Sequence, residues 1–501
     1  MATAPRIGIR VTSAELPHHD PLELYERLRA SCGDQDVFLL ESSGDTGFGG
    51  GSAVVGVNPL VRIQVFAQHV EFDGVPAVVA ALTRAAASAG LVRSGDGNRH
   101  LLPEDREALW HMLRAVQQVF SVDTDIPGNR YAFGFLASFA YEAVWHMESL
   151  PPRTKAIGGP DIALTLFRDT VWYDPECRTA RHLTSEGDEL GTPTIGASLV
   201  AELSEQAAHG DGAARSAVPP APEPVAIRDT VSRETFLGWA ERCLEHIRVG
   251  DVYQIQIGHR IDVRTALTPQ DLYRRLRSRN PSPYMYLMPR AGHLLIGASP
   301  ELYVRIQDDE IEMRPIAGTA RRGPDEAENE RRVKEMQEST KERAEHVMLV
   351  DLCRNDIGRV CRPSTQPVGR LMAVEAFSHV FHLVSTVTGR LTEEADPWDA
   401  VRATFPAGTM SGAPKVRAME IIDGLEQEHR GSYAGAVGLM DVRGWTELAL
   451  CIRSVEYDGT TYSTQSSAGL VAQSDPEAEW RETLAKMGAA HWALTGKELQ
   501  A

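Results

Sequence analysis

Apolar residues recur along this chain with two different periods. From Ile162 to Asp174, in IALTLFRDTVWYD, they alternate or run on as in a strand, whereas from Glu104 to Phe120 they follow helical spacing, so the first half reads as mixed α+β. In the second half, ELYVRIQDDEIEMRPI folds back at Asp308-Asp309 and LALCIRSVEYDGTTYSTQ at Asp458-Gly459, which predicts a mainly antiparallel sheet. Helices are predicted at TFLGWAERCLEHIRVG, KERAEHVMLVDLCRND, APKVRAMEIIDGLE and PEAEWRETLAKMGAAHWAL. The last carries a start signal: Ser474 stands three residues before Glu477, with Pro476 in the first turn. Between Ser204 and Pro224 the pattern lapses into Ala, Gly and Pro, as in a linker or long surface loop. The expected organisation is an N-terminal region, 1–203, without a chemical motif, a linker at 204–228, and a catalytic region at 229–501. No internal repeat interrupts it.

Composition narrows the class. A net charge of -18, from 51 basic and 69 acidic residues, argues against a broad nucleic-acid surface but leaves room for a local basic pocket. No apolar run approaches the length of a membrane span, and MATAPRIGIR lacks the apolar stretch of a signal peptide, so a cytoplasmic protein is expected. The six cysteines (Cys32, Cys177, Cys243, Cys353, Cys361, Cys451) form no CxxC pair and suit reduced thiols without a catalytic role.

Chemistry enters with two acidic pairs. Glu342 and Glu345 in KERAEH, and Glu479 and Glu482 in EAEWRET, are spaced i, i+3, which puts each pair on one helix face. Four carboxylates from two helices would seat a hard divalent cation; two solvated helix faces are the plainer explanation of the spacing alone. The segment FPAGTMSGAPKVRAME sets Thr409, Ser411 and Gly412 before a helix opened by Pro414, a loop that can cradle an anion or simply start a helix. Arg453 falls inside the strand-like LALCIRSVEY, where it needs an anion or solvent. Lys486 shares a helix face with Glu482, and Tyr433 lies among small residues in GSYAGAVG, open to a ligand or to close packing.

The order of the motifs is more informative than any one of them. GDVYQIQ, NPSPYMYLM, GASPELYVRI, RPIAGTARRG, KERAEHVMLVDLCRNDIGRV, SHVFHLVSTVTG, FPAGTMSGAPKVRAMEIID, GSYAGAVG and SDPEAEWRET closely resemble the chorismate-utilising enzymes, and the nearest branch resembles the anthranilate synthase large subunit and the related 2-amino-2-deoxyisochorismate (2-amino-4-deoxychorismate) synthases. The resemblance is strong from Asp229 to the C-terminus and looser before it. It implies an α+β fold, an antiparallel β-sandwich flanked by helices.

The resemblance also implies roles. Mg²⁺ would bridge the ring carboxylate of chorismate to Glu345 and Glu482, with Glu342 and Glu479 behind them, and Arg453, Lys486, Tyr433 and backbone N–H groups near Gly469 match the family's anion contacts. Glu301 matches the general acid that protonates the departing C4 hydroxyl, with Thr409 in the catalytic set. Gln254 stands where water-using relatives carry a Lys base, and Ala317 where C4-aminating relatives carry a nucleophilic Lys, so free ammonia would attack C2. His382 matches the histidine associated with pyruvate elimination, although a lone strand histidine also packs in cores. The family's QAGAG reads QSSAG here, with Ser466 and Ser467 at the carboxylate seat. The tryptophan-feedback segments are half matched, by Leu39 to Ser42 and Asn280 to Met285, while GDTGFGGGSAVVG lacks the usual arginine. Both departures suit an enzyme of specialised metabolism, antibiotic biosynthesis for example, that stops at the aminated intermediate. The alternatives are a complete anthranilate synthase component I and a catalytically silent regulatory paralogue. Without an amidotransferase signature in the chain, ammonia from glutamine would come from a separate glutaminase subunit.

Overall fold

The computed structural model describes every residue except 1–5, 43–46, 96, 156–157, 175–177, 210–217, 364–367, 378–379 and 500–501. Its strands form two wings of antiparallel sheet. One runs β3 (Gly134–Phe139), β12 (Ala436–Asp441), β13 (Thr446–Leu450), β8 (Leu302–Gln307), β9 (Glu310–Met313) and β11 (Val380–Arg390), with β10 (Ile316–Arg321) also on β11. The other runs β1 (Val37–Glu41), β6 (Tyr284–Arg290), β7 (His293–Ser299), β14 (Ser454–Tyr457), β15 (Tyr462–Leu470) and β5 (Gln254–Arg264). Two long strands, β2 (Ala53–Val65) and β4 (Ile162–Asp174), pair with each other along their length and join the wings, β2 through β1 and β4 through β3.

Inward residues of the two wings meet in an aromatic core: Phe38 and Leu40 of β1, Tyr284 and Tyr286 of β6, Leu136 of β3 and Val437 and Leu439 of β12 are all buried together. This is the expected sandwich. The outer faces are covered by helices. Strand β5 alternates, with Ile255, Ile257 and Ile261 packed under α3 (Arg233–Arg248) and α6 (Pro476–Thr495) through Phe236, Trp239, Trp480 and Leu484, while Gln254, Gln256 and Gly258 point to the opposite side. Helix α4 (Thr340–Gly358) buries Val350, Cys353 and Ile357 beside Met313 and Val387 of the other wing.

Several expected elements fall where the pattern put them. The helical spacing after Glu104 gives α1 (Glu107–Gln117), the 162–174 strand is β4, and the β8–β9 hairpin turns at Asp308 with φ 54°. Strands of the N-terminal region join those of the second half, β1 pairing with β6 and β3 with β12. Two expectations shift. The helix α2 (Ala197–His209) continues through the start of the expected linker, and residues 210–217 of the remainder lie outside the described residues. The N-cap of α6 is Asp475, which accepts from the Ala478 N–H at 2.8 Å, because Pro476 already occupies the first helical position; Ser474 instead accepts from Val471 N–H.

Two connections matter most for function. The chain leaves β7 in one wing and enters β8 in the other through Pro300 and Glu301, and it returns from β13 to β14 through Cys451 to Arg453. These crossovers lie side by side: Leu450 N–H donates to Glu301 O at 3.0 Å and Ala298 N–H to Arg453 O at 3.2 Å. Arg453 is therefore not inside a continuous strand, as its apolar flanks predicted, but at a break with φ 54° where the chain changes sheets.

Close backbone approach between β5 and β15 depends on Gly258, where an added Cβ would lie 2.1 Å from Ser466 O. Gly258→Ala is therefore expected to lower the unfolding free energy by about 1–3 kcal/mol, read as a lowered urea midpoint; an unchanged midpoint would contradict the register.

Candidate active site

The predicted residues gather around the paired crossovers. Glu301 is buried between the sheets, and Thr409, in a short turn at Gly408–Met410, donates to its Oε1 at 3.3 Å. Burial pushes the Glu301 carboxyl up to about 8, against the smaller lowering by Thr409 and by Lys486. A carboxyl of this kind keeps its proton at neutral pH and can serve as an acid. Ser411, from the same loop, does not join the site: it is fully buried and donates to Ala407 O. Pro414 is the N-cap of α5 (Lys415–Leu425), which has no side-chain cap. A buried guanidinium fixes this loop to β5, with Arg430 donating to Met410 O at 2.8 Å, to Gln256 O at 2.9 Å and to both oxygens of Glu426.

Beside Glu301 lies a cationic corner. Arg453, half-buried, donates to Lys486 O at 2.8 Å, and Lys486 Nζ reaches Ser467 O at 2.9 Å and Glu482 at 2.6 Å. Tyr433, whose burial raises it to about 12, makes a 2.7 Å hydrogen bond with Ser467 Oγ. Gly469 closes this side with room for nothing larger, since a Cβ there would sit 2.6 Å from Gln256 Nε2 and 3.2 Å from Gln254 Nε2. Strand parity separates the two serines of QSSAG. Ser467 pairs with Gly258 and shares the site face, while Ser466 pairs with His259 and donates away from the site to Thr483 O of α6 at 2.7 Å. Only one of the two can bear on substrate placement.

The acidic pairs face one another. Ser339 caps α4 by accepting from Glu342 N–H, so Glu342 and Glu345 lie in its first turns, as Glu479 and Glu482 do in α6, where the helix dipole favours negative charge. Burial first, then the neighbouring glutamates, raise Glu342, Glu345 and Glu479 above the ordinary carboxylate range. For Glu482 burial also acts to raise it, but Lys486, Lys341 and Arg453 together hold it low. Charge from α4 is thus felt on α6. Among the described residues no three His, Cys, Asp or Glu side chains converge to hold a metal on protein ligands alone.

On the other flank, β10 carries Ala317, paired with Leu383, and then Gly318, with φ 65°, where an added Cβ would lie 3.0 Å from Leu383 Cδ1 and 3.3 Å from Glu342 Oε2. His382 of β11 places Nδ1 3.0 Å from Gly318 O, an acceptor only, so Nδ1 carries the hydrogen and Nε2 the lone pair. Burial lowers His382 to about 4. In the expected feedback segment Glu41 accepts from Tyr273 Oη at 2.5 Å and Arg277 at 2.7 Å, and residues 43–46 lie outside the described residues. What the sequence did not single out is Gln256, whose Oε1 accepts from Ser467 Oγ at 2.9 Å, together with Arg430; the alternation Gln254-Ile-Gln256-Ile was the available signal for the first.

A model of the chorismate binding enzymes matches residues 79–491. Over an alignment of 510 positions, covering 100% of this chain and 99% of the relative, the sequence is 43% identical to a 2-amino-4-deoxychorismate synthase of Streptomyces globisporus. It is 43% identical over 377 positions, 74% of each chain, to anthranilate synthase component 1 of Streptomyces coelicolor. Among solved structures, anthranilate synthase component I from Streptococcus pneumoniae matches with a TM-score of 0.68 at 27% identity, covering 88% of this chain and 92% of that one. The menaquinone-specific isochorismate synthase MenF of Escherichia coli shares the fold, with a TM-score of 0.67 at 17% identity over 98% of this chain and 95% of its own.

The His382 environment makes a prediction independent of turnover. Its imidazole should remain neutral, with hydrogen on Nδ1, from pH 7 down to about 4, as read from ¹⁵N chemical shifts. Protonation near 6.5 would contradict the burial described here.

Proposed function

The chain belongs to the chorismate-binding enzymes, and from that premise we propose that it adds ammonia to C2 of chorismate and releases the amino ether, 2-amino-4-deoxychorismate. This compound is the same as 2-amino-2-deoxyisochorismate: amino group on C2, enolpyruvyl ether on C3, no oxygen on C4. The observation that carries the reading is the end-to-end similarity to the synthase of that name, supported by Gln254 and Ala317 at the two positions where a lysine would bring in water or block C2.

In the proposed reaction the N–C2 bond forms, the diene shifts around the ring, and the C4–O bond breaks. Hydroxide leaves poorly, so Glu301 gives its proton to that oxygen and water departs, while the attacking nitrogen loses a proton. Thr409 orients the acid, and Arg453 and Lys486 hold a carboxylate of the substrate. Mg²⁺ would fit the acidic end, where glutamates of α4 and α6 lie close enough to raise one another: it takes one or two carboxylates and keeps waters and a substrate oxygen. Glu345 and Glu482 would hold it, with Glu342 and Glu479 behind, and it would neutralise the ring carboxylate there. Without it, that carboxylate would meet four glutamates.

Ammonia from glutamine would come from a separate glutaminase. Burial raises the thiols of Cys32, Cys361 and Cys451 to about 11 and Cys243 to about 12, and lifts Cys353 well above the ordinary thiol range, so none of these described cysteines supplies a ready thiolate nucleophile. No helix among the described residues is long and apolar enough to cross a membrane, in keeping with the proposed cytoplasmic setting. A second reading, complete anthranilate synthase with loss of pyruvate, is favoured by one observation, the neutral His382 with its free Nε2 lone pair.

Incubated with chorismate, Mg²⁺ and ammonium chloride, the purified chain is expected to form the C2-amino ether, identified by mass and by proton couplings, and to form none from glutamine alone. Glu345→Gln and Glu482→Gln should each abolish turnover, and so should excess chelator. An amino group on C4, or full activity in chelator, would sink the reading. The acid sets a second expectation. Because Glu301 keeps its proton below about 8, rates measured at constant free ammonia should be level under that pH and fall about tenfold per unit above it. A rate still rising at pH 9.5 under those conditions would remove Glu301 from the acid role.

A further inference from the structure

Resting on this reading, we infer that Ser467 is the residue that stops the reaction at the amino ether, by committing the one proton of the Tyr433 hydroxyl to a hydrogen-bond chain that ends on Gln256. The direction of that chain is forced. Gln256 Oε1 only accepts, so Ser467 Oγ, 2.9 Å away, gives its hydrogen there; Tyr433, 2.7 Å from the same Oγ, must then give its own hydrogen to Ser467. Tyr433 is buried and holds that proton at neutral pH. Its oxygen is left to face any ligand with lone pairs alone.

This matters for the second half-reaction and not for the first. Loss of pyruvate requires a base to take the C2 hydrogen while the C3–O bond breaks; the ring becomes aromatic, and enolpyruvate leaves with the electron pair and gains a proton to become pyruvate. The base is in place, since His382 is neutral with an unshared Nε2 pair. What the leaving group needs is a donor for the negative charge that grows on its oxygen. Chorismate has two carboxylates; with the ring carboxylate at the glutamate end, the enolpyruvyl group falls to the corner made by Arg453, Lys486, Gly469 and Tyr433. A missing neutral donor at a developing oxyanion costs about 10²–10³ in rate. The amination step builds its charge at C4, beside Glu301, and is untouched by the direction of the Tyr433 hydrogen.

Replacing Ser467 frees the tyrosine. In Ser467→Ala the ratio of pyruvate formed to chorismate consumed, with ammonia and Mg²⁺ supplied, should rise at least tenfold over the wild-type ratio, with anthranilate fluorescence rising in step. Gln256→Met should raise the same ratio by another route, because Ser467 can then donate to the tyrosine oxygen and release the tyrosine hydrogen. Adding Tyr433→Phe to Ser467→Ala should remove the gain. A Ser467→Ala protein with the wild-type ratio, or a gain that survives in the double variant, overturns the inference; if Ser467→Ala does not fold, the Gln256→Met ratio decides in the same way. Stoichiometric pyruvate from the unaltered chain is a different failure, of the product reading itself.

Discussion

Everything at this site depends on two strand connections that change sheets at the same place. Glu301 lies on the way from one wing to the other and Arg453 on the way back, and each carbonyl accepts from the strand that leads into the other connection, Glu301 from Leu450 and Arg453 from Ala298. An acid and a cation are thereby held at a fixed separation by main-chain atoms. The same position explains the acid's proton: a carboxyl buried between the sheets is ionised only at the cost of leaving water, and the nearby Thr409 and Lys486 offset that cost only in part.

Helix α6 extends this frame. Its first turns carry Glu479 and Glu482, its next turn carries Lys486, and its carbonyl at Thr483 receives Ser466. The helix is anchored by Trp480, Leu484 and Met487, each fully or nearly buried, at about 1.5–3 kcal/mol for a side chain of this size. Apolar packing that has nothing to do with chemistry thus determines how far the acidic end stands from the basic corner.

Much of this was legible beforehand, and the reasons for the gaps are physical. Paired glutamates at i, i+3 are visible because helix geometry is local, and β4, the β8–β9 hairpin and α4 follow from period and turn chemistry. Arg453 misled because the apolar run Leu448 to Ile452 leads straight into it and strand-like SVEY follows, and such a run does not say where a strand trades one neighbour for another. The serines of QSSAG looked equivalent until the register with β5 assigned them to opposite faces. Neither Thr409 against Glu301 nor Arg430 against Met410 leaves a trace in local sequence, since each joins segments that meet only in the folded sheet. The linker began late for a similar reason: Ala-rich sequence near Ser204 continues a helix when a packed face is available.

The paired crossovers also limit how such a site can diversify. In scaffolds whose chemistry hangs from loops, a new reaction can arrive by insertion or by exchange of a whole segment. Here the reacting groups are bolted to strand ends, and an insertion at Glu301 or Arg453 would slip one sheet against the other. Novelty is left to single letters on fixed strands, such as positions 254, 317 and 467, so two proteins of this architecture can differ in product while their backbones remain nearly superimposable.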